Sequence, residues 1–143
     1  SVSMNAISLD NLAGFTISTD LQTLLLQPAV ANGTATGRFT GISSFYDVQL
    51  TYVRDDKKST YRLLVDGVAA GQFTSQPGNG PDVYTFNAVK IEASSVVGIV
   101  SIATDAGAKG KFRQLIFTPI SQLELNAGEF SNRKRPIHRV VVG

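Results

Sequence analysis

The chain has 143 residues, 43% of them hydrophobic and 17% charged, enough for one domain with a sizeable core. No apolar run approaches the ~20 residues of a membrane-spanning helix, and the absence of cysteine excludes disulfides and thiolate metal sites. The net charge of +2 is uneven: residues 1–128 carry nine Lys/Arg against ten Asp/Glu, while residues 129–143 carry Arg133, Lys134, Arg135 and Arg139 against Glu129 alone. The high isoelectric point therefore belongs to the tail, and no basic body for nucleic acid is indicated.

Period-2 alternation dominates from the start. The opening residues do not read as a basic-then-apolar leader. "FTIST", "LQTLLLQ" and "TATGRFTGI" are strand candidates with short polar or Gly-bearing links. The stretch from "NLAG" to "LQTLLL" is the nearest thing to a helix signal, but it lacks a two-turn amphipathic stripe. In "YDVQLTYV" Tyr46, Val48, Leu50 and Tyr52 share one face, and in "TYRLLVD" Tyr61, Leu63 and Val65 do the same. Asp66-Gly67 is a turn dipeptide leading into "VAAGQFTS". "QPGNGPD" is a loop. "VYTFNAVKIEA", "VVGIVSIAT" and "FRQLIFTPI" complete about nine strands, rich in Val, Ile and Phe. "SQLELNAGEF" is a candidate further strand, followed by "SNRKRPIHRVVVG" as an extension. The organisation expected is a β domain over residues 1–128 and a basic C-terminal extension over 129–143.

About nine strands at hairpin spacing predict an all-β, antiparallel sandwich or barrel. Successive antiparallel strands reverse direction, so every second connection lies at the same end. Counting along the chain puts residues 28–33, 54–59, 76–82 and 105–111 at one end. The tight links near 43–45, 66–67 and 94–95 fall at the other. Polar, Gly-rich loops gathered on a rigid β scaffold are where binding is expected.

Catalytic signals are missing. His138, in the tail, is the single histidine, and no Gly-x-Ser-x-Gly elbow occurs. "GAKGK" (107–111) lacks the spacing of a phosphate loop and reads as a hairpin loop. Asp55 and Asp56 are adjacent, so their side chains diverge. Asp82 or Asp105 could supply a facing acid on another element, but exposed loop acids are the simpler reading. The "NGT" at Asn32 matters only in a eukaryotic secretory setting. Neither an enzyme, nor a metal, nor a cofactor is expected.

Tyr46, Tyr52, Tyr61, Phe39, Phe112 and Phe117 sit at inward strand positions and read as core. Phe73 and Tyr84 fall near the crowded end, where an aromatic face can stack on the C–H face of a sugar ring.

The order of the motifs "GTATGRFTG", "YDVQLTYV", "STYRLLVDG" and "GIVSIATDAGAKGKFRQLIFTP" resembles the β-sandwich carbohydrate-binding modules of families 6 and 35, over about residues 7–120. The resemblance implies a non-catalytic, jelly-roll-like sandwich with its sugar site among loops at one end. It places Arg54, Asp55 and Asp56 in the family's acidic hairpin loop, Phe73 where a Trp is frequent and Asp105 where an Asn is frequent. With Tyr84 and Lys109 these are the candidate ligand residues. Arg54, Lys57, Lys58, Lys109 and Lys111 would favour an anionic polysaccharide.

Two departures concern the family's calcium. Its opening acids are replaced at Ala6-Ile7-Ser8, and its closing Asp by Arg113. A site that loses carboxylates and gains a cation no longer suits calcium, and either internal packing or a pairing of Arg113 with an acid such as Asp10 is expected in its place.

The other reading is a structural or interaction module, such as a virion decoration or surface protein. In that reading Arg133, Lys134, Arg135 and Arg139 contact a partner or a second copy, and "IHRVVV" adds a strand to a sheet edge. Either reading places the protein outside the cell or on a virion surface, with no nucleic-acid or membrane partner.

Overall fold

The computed structural model describes residues 1–19, 22–27 and 30–121. The expected "SQLELNAGEF" strand, the boundary at residue 128 and the tail contacts of Arg133, Lys134, Arg135 and Arg139 lie outside those residues.

Among the described residues, eleven strands form two antiparallel sheets. They are β1 (Val2–Asn5), β2 (Asn11–Ala13), β3 (Phe15–Ser18), β4 (Thr23–Leu26), β5 (Asn32–Arg38), β6 (Ser44–Arg54), β7 (Ser59–Val65), β8 (Val68–Thr74), β9 (Gly80–Ile91), β10 (Val96–Ala103) and β11 (Lys111–Pro119). One sheet runs β3-β4-β11-β6-β9, with β1 also on β11; the other runs β2-β5-β10-β7-β8. The architecture is an all-β sandwich; the barrel alternative falls away because each sheet keeps open edges. β1 and β2 are additions to the expected strands. At three or four residues they are too short to show an alternation, and pairing with β11 and β5 makes them strands. A 3-10 turn at Ala6–Ser8 joins the two.

The inward faces close the core. Tyr46, Val48, Leu50 and Tyr52 of β6 are all buried, as are Tyr61 and Leu63 of β7 and Phe112, Leu115 and Phe117 of β11. Phe39 packs edge-on against Tyr46 at 5.1 Å, geometry that favours the ring quadrupoles, and lies tilted against Phe117 at 5.0 Å. Tyr61 crosses between the sheets: its hydroxyl accepts from the Lys111 N–H at 2.9 Å and donates to the Lys111 carbonyl at 3.3 Å. Burial pushes its phenol well above the usual range.

The connections sort as the alternation predicts. At one end the Gly78 N–H donates to the Asp55 carbonyl, the Asp105 N–H to the Lys58 carbonyl and the Ala103 N–H to the Ala31 carbonyl. At the other, the Phe39 N–H meets the Ser95 carbonyl and the Asp66 N–H the Val96 carbonyl. One loop is shorter than its sequence suggests. β9 begins at Gly80, so Pro81 and Asp82 belong to a strand. Pro81 is tolerated because β9 is an edge strand, paired only with β6.

Asp66 and Gly67 have φ of 50° and 79°, the paired positive values of a tight hairpin turn. The Asp66 carboxylate also accepts from Ser95 Oγ at 2.8 Å and from the Val96 N–H at 2.9 Å. It thereby ties the β7–β8 turn to the start of β10. These bonds, the Val96 one foremost, hold the Asp66 carboxyl below its usual 3.8.

Phe112→Ala should cost about 3–5 kcal/mol and lower the urea midpoint; a loss under ~1 kcal/mol would contradict its place in the core. Asp66→Asn keeps a residue that tolerates positive φ but removes the charged acceptor. A depressed folded-state pKa stabilises above the unfolded value and ceases to do so as pH falls through the folded one. Thermal melts of wild type and Asp66→Asn should therefore differ most near neutral pH and converge in acid below pH 3.8. A gap that widens in acid would refute the assignment.

Candidate functional site

The loop end is built by hydrogen bonds that loop acids make to backbone. Asp55 Oδ1 accepts from the Lys57 N–H at 2.9 Å, a local turn that shapes the tip between β6 and β7. Asp105 Oδ2 accepts from the Lys58 N–H at 2.8 Å, beside the backbone bond in the opposite direction. Two of the three expected ligand acids, Asp55 and Asp105, are thus engaged in holding the loops. Asp56 and Lys109 are exposed at the tips, and Lys57 and Lys58 are exposed beside them. Among the described residues the ion pairs are Arg54–Asp82 and Lys90–Glu92, which leaves Lys57, Lys58 and Lys109 without one.

The aromatic candidates meet. Phe73, inward on β8, and Tyr84, inward on β9, close the open side of the sandwich between the two edge strands. Their ring centroids are 4.0 Å apart and their planes 10° apart. Phe73 is also stacked on Tyr61 at 5.5 Å, while Tyr52 lies 5.2 Å from Phe73. Phe73 therefore has a ring on each side and no free face. Tyr84, 38% exposed, covers the stack from outside.

Sequence reasoning left Asp82 among the loop acids. In the fold, Asp82 and Tyr84 lie on the same face of β9, opposite Tyr52 and Leu50 of β6. Tyr52 donates its hydroxyl to Asp82 Oδ2 at 3.2 Å, and Arg54 Nε stands 3.8 Å from the same oxygen. Arg54 Nη2 also donates to the Asn79 carbonyl at 3.4 Å. A Cβ on Gly78 would lie 3.1 Å from the guanidinium carbon, so the 75–79 loop folds directly over that side chain. Burial, then the neighbouring Asp82 carboxylate, pushes the Tyr52 phenol up to about 12. The signal that could have found Asp82 was the two-residue spacing in "PDVYTF", had the strand been started at Gly80.

Comparison with solved structures decides what this architecture is. The first carbohydrate-binding module of family 36 from a multidomain xylanase, out of the hindgut metagenome of Trinervitermes trinervoides, superposes with a TM-score of 0.68. It is 15% identical, over 84% of this chain and 98% of that one. A family 6 module from Clostridium cellulolyticum, solved with xylose, gives 0.68 at 11% identity over 82% and 96%. A family 36 module in complex with calcium and xylotriose gives 0.62 at 14% identity over 82% and 100%. The fold is that of the family 6, 35 and 36 carbohydrate-binding modules. No family model matches the chain, and no curated protein matches its sequence.

Calcium accompanies one of these modules, but the residues here do not fit it. Among the described residues no three His, Cys, Asp or Glu side chains come together as a metal cluster. Arg113, where the sequence resemblance puts an acid, is the extra residue of a bulge in β11. It lies between the segments of β11 that pair with β4 and with β1. Its Nε is buried without a hydrogen-bond partner. The expected Arg113–Asp10 pair does not form; Asp10 is exposed, and its N–H donates to the Thr36 carbonyl.

Asp105→Ala should loosen the loop end without unfolding the chain. About 1 kcal/mol of stability is expected to go, a modest figure for a partly exposed bond. Amide exchange at Lys58 should rise with it. Unchanged exchange at Lys58 would show that the carboxylate does not hold the loop.

Proposed function

We propose that this chain is a non-catalytic carbohydrate-binding module that takes a polysaccharide at the loop end of the sandwich, with Tyr84 as the platform. The observation that carries the reading is the outer face of Tyr84. An aromatic ring backed by Phe73, with one side exposed, offers a sugar ring an apolar plane that is already ordered. Little side-chain freedom remains to be lost on binding. The fold supports the reading as well, although folds host many functions and the site must carry the argument.

Lys57, Lys58 and Lys109, which lack ion-pair partners among the described residues, favour a chain with acidic groups over a neutral one of the same backbone. Their effect falls on approach and weak outer contacts rather than on the stacked ring, and salt screens it. A polysaccharide ligand implies a working place outside the cell. No described helix is long and apolar enough to cross a membrane.

Modules of this fold have been solved with xylose and xylotriose, so xylan is the first polymer to test. Affinity electrophoresis in gels containing xylan, glucuronate-bearing xylan, mannan or β-1,3-glucan should retard the wild type in at least one. Retardation should be strongest where glucuronate is present and should weaken with salt. Tyr84→Ala should weaken binding about tenfold or more, as expected for a central aromatic anchor, with the fold kept and the melting temperature lowered by roughly a few degrees through loss of the Phe73 stack. Equal retardation of wild type and Tyr84→Ala would overturn the platform. No retardation in any gel would overturn the carbohydrate reading.

A further inference from the structure

Beside the Tyr84 platform stands a polar pair whose arrangement says what kind of sugar it can take. Asp82 and Tyr84 are two residues apart on one face of β9, so their Cα atoms are about 7 Å apart along the strand, roughly the width of a pyranose ring with its hydroxyls. Arg54 comes from the end of β6 to meet the same carboxylate. The side chains of Arg54 and Asp82 keep 33% and 43% of their surface exposed, so both are reachable from solvent.

Their geometry is held from behind. The Tyr52 hydroxyl donates to Asp82 Oδ2, and the Asn79 carbonyl accepts from Arg54 Nη2. Asp82 Oδ1 accepts from its own neighbour, the Val83 N–H, at 2.8 Å. Each carboxylate oxygen retains a lone pair beyond these bonds, and the guanidinium retains N–H donors. Arg54 Nε is buried and without a hydrogen-bond partner, so the donors left to a ligand are those on the Nη nitrogens. An acceptor and a donor therefore lie side by side at the edge of an aromatic platform.

We propose that Asp82 and Arg54 read two adjacent hydroxyls of the sugar stacked on Tyr84, the carboxylate accepting from one and the guanidinium donating to the next. The ligand class is a glycan whose stacked residue carries a free vicinal diol. Tyr52 is a positioning residue: it touches no ligand and holds the carboxylate in line. Its phenol, raised to about 12 by burial, stays protonated and remains a donor at any ordinary working pH. The pair also constrains where an acidic substituent can lie. A uronate carboxylate set on the pair would meet Asp82, so such a group must face outward toward Lys57, Lys58 and Lys109.

The inference rests on the Tyr84 platform, and the test separates the two. The chain and its Tyr84→Ala, Asp82→Asn and Tyr52→Phe variants are run in gels of xylan, and in parallel gels of xylan whose hydroxyls have been O-methylated. That treatment caps the vicinal hydroxyls and leaves the pyranose rings that stack on Tyr84 intact. The wild type is expected to be retarded by xylan and little affected by the treated polymer. Asp82→Asn should bind xylan about tenfold or more weakly, as for loss of a charge-assisted hydrogen bond. Its preference for untreated over treated xylan should collapse. Tyr52→Phe, which keeps the ring, should lose a smaller part of both affinity and preference at an unchanged melting temperature. If Tyr84→Ala loses binding while Asp82→Asn keeps both affinity and preference within twofold, the diol inference is overturned and the platform stands. If the wild type is not retarded by xylan, the ligand class argued here is wrong, and the remaining polymers decide whether the platform survives.

Discussion

The loop end depends on a single alternation along β6. Tyr46, Val48, Leu50 and Tyr52 face inward, and they fill the centre of the sandwich from one end toward the other. Because strand side chains repeat every second residue, Arg54 is the next member of that row, at the point where the strand reaches the loops. The row that makes the core therefore delivers the guanidinium, and Tyr52 just behind it, to the mouth of the sandwich. A slip of one residue in the β6 register would expose the Tyr-Val-Leu row and turn Arg54 away. Core and candidate site are two parts of one periodic face.

The open side between β8 and β9 poses a separate physical problem. Both are edge strands, one from each sheet, and an unprotected edge invites pairing with other chains. Here β9 carries Pro81 and a bulge at Asn87 and Ala88, where the Asp47 carboxylate accepts the Ala88 N–H at 3.0 Å. β8 has a bulge of its own around Ala70. Bulges twist an edge out of register with any partner. Towards the loop end the gap is filled by the Tyr61–Phe73–Tyr84 stack, with Phe86 5.0 Å from Tyr84. Closing the side of the sandwich leaves Tyr84 on the outside of the stack, and it is this ring that we propose as the platform.

The acids at the loop end divide by what they hold. A loop must satisfy its own N–H groups before it can offer acceptors to a ligand, and nearby carboxylates do this readily. Asp55 and Asp105 are used in that way. Asp82 differs in part: on a strand paired with β6, its Oδ1 accepts the Val83 N–H, while its Oδ2 takes the Tyr52 hydroxyl and stands beside Arg54.

The alternating segments were legible from residue type alone. Burial of Tyr46, Tyr52, Tyr61, Phe39, Phe112 and Phe117 followed from position within a strand, as did the sorting of loops to two ends. Both are consequences of a local period and of chain reversal, which need no knowledge of partners. The motif order also pointed to the module fold. What the chain could not reveal by itself was which residues meet across the sheets. The Phe73–Tyr84 stack joins edges of different sheets, and Arg113 occupies a bulge defined by two other strands. Asp82 belongs to a strand only because β6 pairs with residues as early as Gly80. Register and sheet-to-sheet contact are non-local, set by packing between segments far apart in the chain, so only the tertiary structure decided which aromatic keeps a free face and which acid stands beside it.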